Sequence, residues 1–210
     1  MNKISILVVD DETLLRQGLI VMLEKELFIK EIYEAGNAEE FKSHLVSKSV
    51  DIVLLDIRLG KSNGLELLKY VKEMKNPPKI VAVTGLEGVE LIINLLKASC
   101  DGIVYKLDGY KEIIKTIDAI LNSRSYFPDR ILKVIQNNAK RWEQTPSVLL
   151  TFHEKELLRA IAGGGTTKQI ASELRLKIAT AETYRIRLMK KVGVSNTASL
   201  LAYAFRNGIL

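Results

Sequence analysis

Four side chains suited to phosphoryl chemistry, Asp10, Asp11, Asp56 and Lys106, stand directly after or at the end of apolar runs. Asp10 and Asp11 follow Ile4-Ser5-Ile6-Leu7-Val8-Val9, Asp56 closes Val50-Asp51-Ile52-Val53-Leu54-Leu55-Asp56, and Lys106 follows Gly102-Ile103-Val104-Tyr105. If these runs are buried strands of one parallel sheet, three carboxylates and one ammonium share the edge where the sheet opens to solvent. Three negative charges gathered in one place call for a cation, and Mg²⁺ suits hard oxygen ligands while keeping part of its water shell. With Mg²⁺ bound, the Asp56 carboxylate can attack a phosphoryl donor in line, while the metal and Lys106 offset charge on the transferred oxygens. Thr84 follows Lys79-Ile80-Val81-Ala82-Val83 and offers a hydroxyl donor, and the small Gly85 beside it leaves room for the phosphoryl group. Taken singly, each residue has an ordinary reading: an acid after a strand caps a helix, and a loop lysine is solvated. Their joint placement is what points to chemistry.

The elements that must position these residues are legible as short apolar runs alternating with segments of helical period. The strand candidates are 3–9, 30–35, 50–56, 79–83 and 102–105, and the helix candidates are 12–26, 37–47, 63–75, 87–98 and 109–122. Right-handed crossovers turn this alternation into an α/β doubly wound, five-stranded parallel sheet, most simply in the flavodoxin-like order 2-1-3-4-5. Its switch point lies between the first and third strands, where Asp10, Asp11 and Asp56 fall. A polar, Pro-containing stretch at 123–128, a short helix at 129–142 and a second boundary at 143–148 follow. An all-α domain with helices at 152–162, 167–174, 178–192 and 196–206 completes the chain. The expected division is therefore 1–122, a linker with a helix over 123–148, and 149–210.

Charge separates the two parts. Residues 1–124 hold 17 Lys and Arg against 19 Asp and Glu, whereas residues 125–210 hold 14 against 6, so the basic excess belongs to the helical part. That asymmetry points to nucleic acid as its partner. The composition, 47% hydrophobic and 27% charged, is that of a folded globular chain. No stretch approaches a membrane span and the N-terminus lacks a signal-peptide core, so a cytoplasmic protein without membrane contact is expected. The single cysteine, Cys100, excludes an internal disulfide and a cysteine-rich zinc site.

Through Val8-Val9-Asp10-Asp11-Glu12, Leu54-Leu55-Asp56-Ile57-Arg58-Leu59-Gly60, Asn63-Gly64-Leu65-Glu66, Val83-Thr84-Gly85 and Asp101-Gly102-Ile103-Val104-Tyr105-Lys106, the chain resembles the receiver domains of bacterial two-component response regulators. The resemblance implies that Asp56 accepts phosphate from a sensor histidine kinase. It implies further that Asp10, Asp11, Asp56 and the Arg58 backbone carbonyl bind Mg²⁺, and that Thr84 and Lys106 contact the phosphoryl oxygens. Gly60 stands where that family commonly has proline, a change expected to loosen the loop after Asp56. Ile103 stands at the switch position, where the family usually carries an aromatic residue that turns inward when Thr84 moves toward phosphate. Tyr105 lies on the same strand face as Ile103.

In the C-terminal part, 167–174 and 178–192 have the spacing of a helix-turn-helix, with Arg185, Arg187, Lys190 and Lys191 on the second helix. From Leu150-Thr151-Phe152-His153-Glu154 through Thr180-Ala181-Glu182-Thr183-Tyr184-Arg185 to Lys191-Val192-Gly193, it resembles the output domains of the LuxR/NarL/FixJ group. The resemblance implies that 178–192 is a recognition helix in the major groove and that 196–206 offers the surface on which two such domains pair. Base contacts then fall to Glu182, Thr183 and Ile186. Phosphate contacts fall to Lys168, Thr180, Arg185, Arg187, Lys190 and Lys191. Tyr184, Lys177 and His153 depart from the group's usual histidine, serine or threonine, and arginine.

The expectation is a DNA-binding transcriptional response regulator, not an enzyme, with Mg²⁺ as cofactor. Its expected partners are a sensor histidine kinase, double-stranded promoter DNA and, when active, a second copy of itself. The alternatives are a phosphorylation-independent regulator whose receiver is a dimerisation module and, ranked lower, a Mg²⁺-dependent phosphotransferase or phosphatase.

Overall fold

The five expected strand segments become five parallel strands. The computed structural model describes residues 3–60, 62–85, 88–122, 127–139, 148, 150–164, 166–207 and 209–210, and the chain divides into two units, Met1–Ile117 and Asp118–Leu210. In order, the first half runs β1 (Ile4–Val9), α1 (Thr13–Leu23), β2 (Ile29–Ala35), α2 (Ala38–Ser47), β3 (Ile52–Asp56), β4 (Arg58–Leu59), β5 (Ser62–Asn63), α3 (Gly64–Lys72), β6 (Lys79–Thr84), α4 (Val89–Lys97), β7 (Gly102–Tyr105) and α5 (Tyr110–Leu121). A single 3₁₀ turn, Lys106–Asp108, joins the last two.

The main sheet has the order β2-β1-β3-β6-β7, all parallel, which is the expected 2-1-3-4-5 winding. Every residue of β1 and β3 is buried, as strands covered by helices on both faces must be. Edge strand β2 is mostly exposed or half-buried instead. Register levels the carboxyl ends: Val9 pairs with Leu55, Asp56 with Val83, and Thr84 with Tyr105. Asp10, Asp56, Thr84 and Lys106 therefore emerge at one height.

Two elements were not expected. β4 and β5 form a two-stranded antiparallel hairpin, Arg58 opposite Asn63 and Leu59 opposite Ser62, directly after Asp56. Strands of two residues are too short to leave a periodic trace. At its base, a Cβ on Gly64 would stand 2.7 Å from the Ile57 Cα, so only glycine fits there. The expected helices 12–26 and 63–75 are shorter, ending at Leu23 and Lys72.

The second unit contains α6 (Asp129–Asn137), α7 (Phe152–Ala162), α8 (Thr167–Glu173), α9 (Ile178–Lys191) and α10 (Thr197–Arg206). Residues 140–142 of the expected helix and most of the boundary at 143–148 lie outside the described residues. Capping boxes start α7 (Thr151 with Glu154) and α8 (Thr166 with Gln169). The turn from α8 to α9 passes through Arg175 at φ 53, and the Leu176 N–H reaches back to the Ala171 carbonyl at 2.7 Å. Helix α10 packs against both α6 and α7, and Ala198, Leu200, Leu201, Ala202, Tyr203 and Ala204 are buried. A helix apolar on most of its circumference belongs inside a domain. The segment expected to present a pairing surface is thus largely enclosed, in part by α6.

Candidate functional site

Lys106 gathers the acidic edge. Its Nζ lies 2.8 Å from Asp56 Oδ2, 2.9 Å from Asp10 Oδ2 and 2.9 Å from Glu12 Oε1. The three N–H bonds of one ammonium are matched by three carboxylates. Asp56 and Asp10 are buried, whereas Glu12 and Asp11 are exposed. Each buried acid takes a second hydrogen bond from the backbone just beyond it: the Glu12 N–H donates to Asp10 Oδ1 at 2.8 Å, and the Arg58 N–H to Asp56 Oδ1 at 3.0 Å. The fourth acid is held across the chain, with the Gly60 N–H donating to Asp11 Oδ2 at 2.9 Å.

Electrostatics follow from this arrangement. Burial pushes the Asp10 carboxyl above its ordinary value, tempered by Lys106 and the Glu12 N–H. Burial opposes the Lys106 charge, but the hydrogen bonds it donates to Asp56, Glu12 and Asp10 outweigh it and raise its pKa. Glu12, at the surface, is held below the usual carboxylate range by Lys106. One ammonium cannot balance four carboxylates. Asp10, Asp11 and Asp56 each offer an oxygen, and these lie within 4.8 Å of one another, a hard-oxygen donor set that fits a divalent cation such as Mg²⁺.

The hairpin sets the backbone of Arg58 beside Asp56. The Gly64 N–H bonds the Ile57 carbonyl at 3.0 Å, so Ile57 uses the hairpin ladder and Arg58, the next residue, turns its backbone groups outward. Its N–H is already on Asp56, and in extended chain the carbonyl of the same residue lies along the same edge. A cavity of about 440 Å³ opens here, lined by Asp11, Glu12, Asp56, Arg58, Gly85 and Lys106. Thr84 ends β6 with its side chain fully buried and does not line this cavity. Ile103 is likewise fully buried, and Tyr105 nearly so.

In the helical unit, Thr183, Ile186, Arg187 and Lys190 are exposed and recur at the spacing of one face of α9. Lys168 is exposed on α8, and Thr180 is half-buried in the first turn of α9. Glu182 and Arg185 sit on a flank and pair with each other at 3.6 Å. Lys191 is drawn away from that face, its Nζ lying 2.8 and 2.7 Å from the two carboxylate oxygens of Glu154.

The family profile described as "Response regulator receiver domain" matches residues 6–118, and that described as "Bacterial regulatory proteins, luxR family" matches 148–204. The chain is a response regulator of the LuxR/NarL/FixJ group. The regulator is 28% identical to the transcriptional regulatory protein LiaR of Bacillus subtilis over 209 residues, 99% of each chain. It is 29% identical to BvgA of Bordetella pertussis over 207 residues, 98% of each chain. Among solved structures, it resembles RcsB from Salmonella enterica serovar Typhimurium bound to a promoter in the presence of the phosphomimetic BeF3⁻. That match has a TM-score of 0.60 and 23% identity, covering 96% of this chain and 98% of that chain, a likeness of fold. Among its described residues, no helix of the regulator is long and apolar enough to cross a membrane.

Two features of the regulator escaped the sequence reading. Glu12 joins Asp10 and Asp56 on Lys106, although its place one residue beyond the acidic pair could have suggested it. Glu154 holds Lys191 across 37 residues, and only its place in a Thr-x-x-Glu capping box marked it as buttressed.

Proposed function

We propose that this regulator is switched by phosphorylation of Asp56 and answers by pairing and binding promoter DNA through α9. The supporting observation is the setting of Asp56: a buried carboxylate held by Lys106 and the Arg58 N–H, beside two more acids and an open cavity. In the proposed step, an Asp56 oxygen forms a bond to phosphorus as the P–N bond of a kinase phosphohistidine breaks, and the imidazole nitrogen takes the electron pair. Lys106 stands ready to neutralise the phosphoryl oxygens. Asp10, Asp11, Asp56 and the Arg58 carbonyl would hold Mg²⁺, which supplies further charge neutralisation. Leu14, 86% exposed in the first turn of α1 and lining a cavity with Asp10, Glu12, Asp56 and Lys106, suits the approach of the kinase. In this reading residues 1–122 act as receiver, 123–148 as linker and 149–210 as output domain, working in the cytoplasm.

Labelling with a small phosphodonor and Mg²⁺ tests the assignment. Wild type should take up phosphate and Asp56→Asn should not; equal labelling of both would remove Asp56 from the role.

A second reading has the receiver acting without phosphate, as a dimerisation module. The burial of Thr84 and the aliphatic Ile103 favour it, since neither offers the phosphoryl group a ready lever. Self-association and DNA affinity measured with and without phosphodonor separate the two. A gain with phosphodonor that Asp56→Asn abolishes supports the switch, and no change in wild type supports the module.

A further inference from the structure

We infer that Gly60 is a positioning residue for the divalent cation, through the hydrogen bond its N–H donates to Asp11; the inference rests on the acidic cluster being the metal site. Gly60 follows Leu59, the last paired residue of β4, where the chain turns back toward β5, and tight hairpin turns need positive φ at their first residue. Gly60 has φ +54. That conformation aims its N–H at Asp11 Oδ2, 2.9 Å away and 49 residues distant in sequence. Among the described residues, Asp11 is exposed and is held by this N–H, whereas Asp10 and Asp56 are held by Lys106. A carboxylate has about four lone-pair sites, so one N–H leaves it able to bind a metal while restricting its rotamers.

The other end of the same hairpin carries Arg58, whose N–H is on Asp56 Oδ1 at 3.0 Å. One short hairpin thereby donates to two of the three clustered carboxylates, Asp56 through Arg58 and Asp11 through Gly60. Proline could do neither part of this, having φ near −65° and no N–H. Gly60 therefore ties the loop after Asp56 to Asp11. Hydrogen bonds to metal-ligating groups typically change metal affinity about 10- to 100-fold when lost.

Calorimetric titration of the full chain with Mn²⁺ tests this in wild type, Gly60→Pro, Gly60→Asn and Asp11→Asn. Asparagine tolerates positive φ and keeps the N–H, so Gly60→Asn should bind within about twofold of wild type, while Gly60→Pro binds at least about tenfold more weakly. In Gly60→Pro, phosphate labelling should need more Mg²⁺ but reach the wild-type rate at saturation. Equal affinities for the proline and asparagine variants would overturn the role of the N–H. Undiminished binding by Asp11→Asn would instead overturn the metal-site reading on which it stands.

Discussion

Thr84 and Tyr105 are register partners on neighbouring strands, and both side chains are buried at the end of the sheet. Ile103, two residues earlier on β7, pairs with Ala82 and is wholly enclosed. The aromatic of this strand thus lies beside the threonine itself, while the switch position holds the fully buried aliphatic Ile103.

Space decides what Ile103 tolerates. Adding an aromatic ring to a filled core forces neighbours off their rotamers, which costs about 1–3 kcal/mol. Ile103→Tyr should lose that much stability in urea unfolding, without gaining phosphate-dependent DNA affinity. An unchanged urea midpoint would show that the interior at β7 has room for a ring.

Removing Lys106 leaves Asp10, Glu12 and Asp56 facing one another. Lys106→Met should lower stability at pH 7 by about 3–5 kcal/mol, the usual result of stripping one partner from a buried charge group, and Mg²⁺ should restore part of it. The pH sign follows from Asp10. Burial already raises its folded pKa above the unfolded value, so it favours the folded state at low pH and disfavours it as pH rises through the folded pKa. Losing Lys106 removes two influences that lower that pKa, so it rises further. The deficit of the mutant should therefore be largest near neutrality and shrink as pH falls toward about 4. Thermal melts across that range check it, and a deficit independent of pH would contradict it.

On α9 the exposed face mixes charge with one branched aliphatic. Ile186 is 56% exposed between Thr183 and Lys190, and an aliphatic in the major groove contacts thymine methyl groups. Ile186→Ala should weaken binding to the preferred site by about 1–3 kcal/mol and relax its sequence preference, with the salt dependence unchanged. Replacing the contacted thymine by deoxyuridine should reproduce the loss in wild type and add nothing in Ile186→Ala. Lys190→Ala should weaken all sequences alike and reduce the salt slope by about one. Lys191→Ala should spare the slope and cost stability, because its ammonium is engaged by Glu154.

The difference between Lys190 and Lys191 shows where sequence reading stopped. The strand runs, their winding order and the level placement of Asp10, Asp56 and Lys106 were legible, because the central runs are mostly apolar and these three charged residues stand at their ends. Adjacent lysines on a helix have no such local mark. Lys191 is distinguished only by Glu154, brought close by the packing of two helices. The hairpin at Arg58–Asn63 was hidden for a related reason: its two-residue strands are too short for periodicity, and the partner of Gly60 lies 49 residues away. Enclosure of α10 was invisible too, since an apolar helix face reads alike whether it meets another copy or a helix of its own chain.

That enclosure makes α6 a test of how copies pair. Ile131 and Ile135 are fully buried, and α6 packs along α10. Truncating a buried isoleucine costs about 2–5 kcal/mol, so Ile135→Ala should loosen α6 while leaving α7 to α9 with their own buried residues Leu157, Leu158, Ile161 and Leu188. If α10 is where two copies meet, α6 occupies the same face, and weakening its hold shifts the balance toward pairing. Sedimentation of Ile135→Ala without phosphodonor should show more dimer than wild type at equal concentration, and Leu200→Asp introduced into it should return the chain to monomer. A variant that is destabilised yet no more dimeric would place the pairing surface on another element.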